Sequence, residues 1–113
     1  MHELSITQSM LDLVLDEAKK AKAEKVAKIN LVIGQMSGIV DHCVEFYFEF
    51  LSQDTIANGA ILSFTTVPTQ VRCLNCGELF IPKEFDWSCP KCQERSTEIV
   101  AGNELYVESI EVE

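Results

Sequence analysis

Residues 73–92 read CLNCGELFIPKEFDWSCPKC, two Cys-x-x-Cys knuckles formed by Cys73 with Cys76 and Cys89 with Cys92, separated by twelve residues. Two residues between cysteines let both sulfurs reach one ion at about 2.3 Å, and two such pairs complete the tetrahedral four-thiolate shell that zinc prefers. Gly77 permits a tight turn after the first knuckle, and Pro90 stiffens the second. With four thiolates and no open position, Zn(II) here is structural, replacing a core in a segment too short to build one. Either knuckle alone also fits a redox dithiol, and a rubredoxin-like iron site uses the same four sulfurs. The paired knuckles favour zinc.

Outward from the cysteines the chain reverts to alternating strands and helices. Ile61 to Val67 has the β-branched and aromatic content of a strand that Pro68 ends, after a turn at Asn58-Gly59. A last strand from Leu105 to Val112 follows Gly102-Asn103, and Ile29, Leu31 and Ile33 alternate with Lys28, Asn30 and Val32 in a first strand closed by Gly34-Gln35-Met36-Ser37-Gly38. Ser5-Ile6-Thr7-Gln8 fits a capping box that opens a helix from Ile6 to about Glu24, leaving residues 1–4 outside it. Leu4, Leu11, Val14, Ala18 and Ala21 form its apolar stripe, widened by Met10 and Leu13. Asp41 is expected to cap a second helix through about Ser52, with Val40, Val44, Phe48 and Leu51 at helical spacing and Phe46, Tyr47 and Phe50 read as further core. Cys43 reads as a core side chain and His42 as exposed. The expected fold is α/β (α+β), a small mixed three-stranded sheet with two helices plus an inserted zinc-ribbon-like module. Residues 1–69 with 100–113 would form the α/β domain and residues 70–99 the zinc-binding module.

The chain has 113 residues, 47% of them hydrophobic, and 9 basic against 18 acidic side chains give a formal net charge of −9. That length and apolar content suit one small domain with an insert. Residues 70–99 hold four basic and five acidic side chains, so nearly all the excess acidity lies outside the knuckle segment. Binding nucleic acid through its phosphates needs a basic face, which this balance disfavours. No run approaches the roughly 18 apolar residues of a membrane span. The start lacks the basic and apolar regions of a secretory signal, so a cytoplasmic protein with no membrane partner is expected. Nucleotide-binding glycine motifs, HExxH and GxSxG are absent, and no nucleophile, base or carboxylate pair assembles into a catalytic set, so the chain does not read as an enzyme. Lys19, Lys20, Lys22, Lys25 and Lys28 read as a solvated face near the end of the first helix.

His2 can be a solvated side chain beside the start, or part of a ligand set. An α-amine at Met1, the amide nitrogen and imidazole of His2 and the amide of Glu3 can close adjoining chelate rings around one ion. Such nitrogen donors in a plane suit Ni(II) or Cu(II) rather than tetrahedral zinc. The size of His2 favours retention of Met1.

Met1-His2-Glu3-Leu4-Ser5, followed by an amphipathic helix and by the two knuckles in the C-terminal half, resembles the HypA/HybF family of nickel metallochaperones over essentially the whole chain. The resemblance implies transport of Ni(II) bound by Met1, His2 and Glu3, with Cys73, Cys76, Cys89 and Cys92 holding structural Zn(II). It further implies delivery into the large subunit of [NiFe]-hydrogenase during maturation, in partnership with a HypB-type GTPase and, in some organisms, urease accessory proteins. A monomer or weak homodimer is expected. Family proteins use a further histidine near the zinc module. Residues 70–99 contain none, so a higher coordination number would draw on water, Glu98 or a partner's side chain. The competing classes are a zinc-ribbon adaptor that binds a protein or nucleic-acid complex, and a thiol oxidoreductase.

Overall fold

The computed structural model describes residues 3–83 and 86–113. Its elements run α1 (Glu3–Lys20), β1 (Val26–Gly34), α2 (Asp41–Leu51), β2 (Ile61–Val67), β3 (Gln70–Cys73), β4 (Leu79–Phe80), β5 (Thr97–Ala101) and β6 (Leu105–Val112). They build two three-stranded sheets, ordered β2-β1-β6 and β4-β3-β5. The chain divides into two compact units, one made of Met1–Val32, Ile39–Thr65 and Leu105–Glu113, the other of Ile33–Gly38 and Thr66–Glu104.

In the first sheet β2 and β6 flank β1, so the last strand lies beside the first. Lys25 and Glu113 exchange backbone hydrogen bonds at one end of β1, and the Gly34 N–H donates to Glu104 O at the other, which makes β6 antiparallel to β1. Val26 N–H donates to Ile56 O ahead of β2 and Gln35 N–H to Val67 O at its end, so β2 runs parallel to β1. A parallel pair needs a crossover, and α2 supplies it. The sheet is mixed, as expected.

The core of the first unit is built from α1, β1 and α2: Met10, Leu11, Val14 and Ala18 pack with Val26, Ile29, Leu31, Val44, Phe48 and Ala57. Two helix boundaries differ from the sequence reading. α1 begins at Glu3 rather than Ile6, so Ser5 lies inside the helix, and the Gln8 side-chain amide donates to Asp12 Oδ1 at 2.9 Å instead of reaching back. Glu3 is buried, and its carboxylate accepts from the Val40 N–H at 3.4 Å ahead of α2, while the Thr7 hydroxyl donates to Glu3 O. An acidic first turn suits the positive end of the helix dipole, an alternative start signal to the capping box. At the other end Lys22 takes a left-handed φ of 56°, with Ala23 N–H bonded to Ala18 O and Lys22 N–H to Lys19 O. That Schellman arrangement closes the helix at Lys20, short of Glu24.

The N-cap of α2 is Val40, without a side-chain cap; Asp41 is the first helical residue, its carboxylate accepting from the His42 N–H at 2.7 Å. Cys43 is half-buried rather than core. Phe46 and Phe50 are exposed. An eleven-residue helix with apolar side chains on several flanks cannot bury them all against one core.

In the second unit β3 pairs antiparallel with β4 (Val71 opposite Phe80, Arg72 opposite Leu79) and with β5 (Arg72 opposite Glu98, Cys73 opposite Thr97). Among its described residues the fully buried side chains are few: Val71, Cys73 and Cys89. Hydrogen bonds tie its two chain segments together: backbone bonds from Gly34 N–H to Glu104 O and from Met36 N–H to Gly102 O, both 2.7 Å, and one from Thr69 N–H to the Gln35 side-chain Oε1, 3.0 Å. A Cβ on Gly34 would lie 2.0 Å from Gly102 O, and one on Gly102 (φ +116°) 2.8 Å from Thr69 Cα, so neither site has room for a side chain.

Candidate metal centre

The two knuckles share one backbone design. In the first, the Cys73 N–H donates to Glu78 O and the Gly77 N–H returns to Cys73 O; in the second, the Cys89 N–H donates to Glu94 O and the Gln93 N–H to Cys89 O. The fifth residue of each loop is left-handed, Gly77 at φ 78° and Gln93 at φ 65°. Glycine takes that conformation freely, and Gln93 takes it at a steric cost of roughly 1–2 kcal/mol. Both folded loops aim their sulfurs at a common point.

There Cys73 faces Cys92 and Cys76 faces Cys89, each pair with sulfurs 3.5 Å apart, and all four sulfurs lie within 4.8 Å of one another. Four sulfurs at 2.3 Å from one ion would be separated by about 3.8 Å. The cluster therefore has the size of a tetrahedral thiolate shell and could hold a metal such as zinc. Cys73 and Cys89 are buried, Cys92 is half-buried and Cys76 lies at the surface. The Asn75 amide (3.5 Å to Cys92 Sγ) and the Lys91 N–H (3.4 Å to Cys89 Sγ) donate to sulfur, as they would to ligating thiolates.

The thiols titrate against one another. Cys92 is drawn down to about 6, first by the Asn75 amide and then by the Glu94 N–H. Cys76 receives a lowering hydrogen bond from the Glu78 N–H, but partial desolvation and the three other sulfurs outweigh it and push this thiol up to about 12. Four thiolates cannot coexist at this spacing without a cation among them, and a dication removes that obstacle.

Among the described residues this is the one group of three or more His, Cys, Asp or Glu side chains able to hold a metal ion. Glu98 pairs with Arg72 at 3.0 Å across β3 and β5, so its carboxylate already has a cationic partner. His42 is exposed, 3.4 Å from its neighbour Asp41. Of the expected nickel ligands, Met1 and His2 lie outside the described residues, and Glu3 is the first residue of α1. Sequence reasoning found all four cysteines but missed the Asn75 and Lys91 donors and the left-handed Gln93, which no glycine marks.

Fold and site define a small two-unit α/β protein whose zinc-ribbon-like unit carries a four-sulfur centre that could hold a metal. Residues 1–112 match the family model described as "Hydrogenase/urease nickel incorporation, metallochaperone, hypA", and the chain belongs to this HypA family. It is 50% identical over 113 residues to a hydrogenase maturation factor HypA of Dehalococcoides mccartyi, covering all of this chain and 95% of that one. It is 45% identical to that of Caldanaerobacter subterraneus subsp. tengcongensis, with both chains covered in full. The solution structure of the nickel metallochaperone HypA from Helicobacter pylori superposes with a TM-score of 0.69 at 29% identity, covering 99% of this chain and 97% of that chain. Membership makes the chain a hydrogenase maturation factor of the nickel-incorporation pathway and not an enzyme, which sets aside the thiol oxidoreductase. No described helix is long and apolar enough to cross a membrane.

Proposed function

We propose that this chain carries Ni(II) on Met1, His2 and Glu3 and helps insert it into the large subunit of [NiFe]-hydrogenase, while Cys73, Cys76, Cys89 and Cys92 hold structural Zn(II). The observation that carries this reading is a Met-His-Glu start leading directly into α1 in a member of a nickel-incorporation family. The Glu3 carboxylate, engaged with the Val40 N–H, holds the head of α1 against the approach to α2.

In this reading residues 1–69 with 100–113 serve nickel and residues 70–99 serve zinc, in a cytoplasmic monomer or weak homodimer. A HypB-type GTPase, the hydrogenase large subunit and urease accessory proteins are the partners. Cargo moves down a gradient of affinity: a client must offer the ion a better site or distort this one, since docking without such a difference shifts nothing. A nickel titration of the wild type, His2→Ala and a chain extended by one residue ahead of Met1 tests the site. Weaker binding in both variants is expected, and unchanged affinity in both would reject the N-terminal site.

A further inference from the structure

α2 turns only part of its surface to the core. Val44 and Phe48 are buried, whereas Phe46 and Phe50, one turn apart on its outer side, are 69% and 67% exposed. Tyr47 stands beside them, its ring edge-to-face with that of Phe46 at 5.5 Å. Phe46, Phe50 and the neighbouring Tyr47 together form a contiguous apolar patch, the kind of surface that marks interaction sites, rather than singly scattered apolar residues. Along the next flank run Glu45 and Glu49, also one turn apart, neither in an ion pair among the described residues. α2 contains no Lys or Arg. Glu45 and Glu49 border a surface depression that continues to Gly59, Ala60 and the exposed Ile61.

We propose that this face docks a basic amphipathic segment of a partner protein. The partner's apolar residues cover Phe46 and Phe50, and its Lys or Arg side chains lay their aliphatic stems along Ile61 and bring their charges to Glu45 and Glu49. The charge of the rim selects the occupant. A second copy is the poorer fit, because each chain has a net charge of −9 and a two-fold contact would set Glu45 and Glu49 against their own counterparts. Three of the lysines around the end of α1 are already paired, Lys20 with Asp16 and Glu17, Lys25 with Glu113, and Lys28 with Glu111. The proposal does not depend on where nickel binds.

The test titrates the full, zinc-loaded chain with a synthetic helical peptide that carries leucines at i, i+3, i+4 and i+7 flanked by lysines, following backbone amide shifts by NMR. The expected shifts gather on α2 and around Ile61. Phe46→Ser with Phe50→Ser weakens binding about thirtyfold, and Glu45→Gln with Glu49→Gln weakens it and flattens its salt dependence. Both exposed phenylalanines can be replaced without opening the core, and zinc and nickel content in each double variant are read separately, so a failure of docking is distinguishable from a failure of nickel binding. Unchanged affinity in the Phe46/Phe50 variant overturns the proposal, as do shifts gathered instead on Asp12, Asp16 and Glu17, which signal diffuse charge attraction. A concentration-dependent dimer lost in the same variant assigns the face to a second copy and overturns it equally.

Discussion

Gly34→Ala puts the most crowded glycine of the chain to the test. The added methyl would lie 2.0 Å from Gly102 O and 2.6 Å from the Asn103 nitrogen, where a carbon needs more than 3 Å, and both obstacles are main chain, so no rotamer change relieves the clash. The strands must part by at least about 1 Å, which stretches the 2.7 Å bonds from Gly34 N–H to Glu104 O and from Met36 N–H to Gly102 O beyond hydrogen-bonding range. Two lost bonds at about 1 kcal/mol each, with about 1–3 kcal/mol of overpacking, predict a loss of about 3–5 kcal/mol. Gly38→Ala is the control: its Cβ meets nothing within 4 Å, and only its φ of +77° opposes the change, at about 1–2 kcal/mol. Urea unfolding of the zinc-loaded protein, followed by fluorescence of Trp87, the single tryptophan, reports on the unit that contains both glycines. A Gly34→Ala loss below about 1 kcal/mol, or one no larger than that of Gly38→Ala, would refute the close-approach argument.

Chelation of zinc should change Trp87 emission while the far-ultraviolet signal of α1 and α2 persists, because the first unit has its own apolar core, whereas among the described residues of the second only Val71, Cys73 and Cys89 have fully buried side chains. Simultaneous loss of both signals would contradict this division. Leu11→Ala, at a fully buried position in α1, should cost about 2–5 kcal/mol in thermal or urea unfolding with zinc retained; a cost under 1 kcal/mol would mean that the site collapses around the gap. Nickel affinity, measured by isothermal titration, should fall as pH drops from 8 to 6, because the amine, imidazole and amide nitrogens must shed protons to ligate. A flat profile would exclude backbone amides from the ligand set.

Where local chemistry dictated structure, the amino-acid order was sufficient. The β-branched run at Ile61–Val67 and the strand expected from Leu105 to Val112 after Gly102-Asn103 coincide with β2 and β6, and the cysteine spacing located the sulfur cluster. Distant contacts were invisible. Nothing around Gly34 announces that Gly102 will press on it, and nothing near Glu3 that its carboxylate will meet Val40. Helical spacing identified α2 but could not tell that Phe46 and Phe50 lie on its open flank, because period alone does not say which of several apolar stripes faces inward. The short strands β3, β4 and β5 carry too few residues for a pattern, and their pairing follows from the two knuckle turns. Met1 and His2, expected as ligands from their donor chemistry and from the family motif, lie outside the described residues.

The pairing of β3 with β5 also bears on how the chain assembles in time. Asn30 and Ser109, which hydrogen-bond between β1 and β6, are 79 residues apart, so an unstructured chain must close a long loop before the sheet is complete. Once Gln70 stands opposite Ala101, that stretch acts as a single link and the free loop shrinks to about 48 residues, lowering the closure cost by about 0.4 kcal/mol. The β3–β5 pairing thus acts as a mild kinetic primer, hastening the β1–β6 encounter by about twofold.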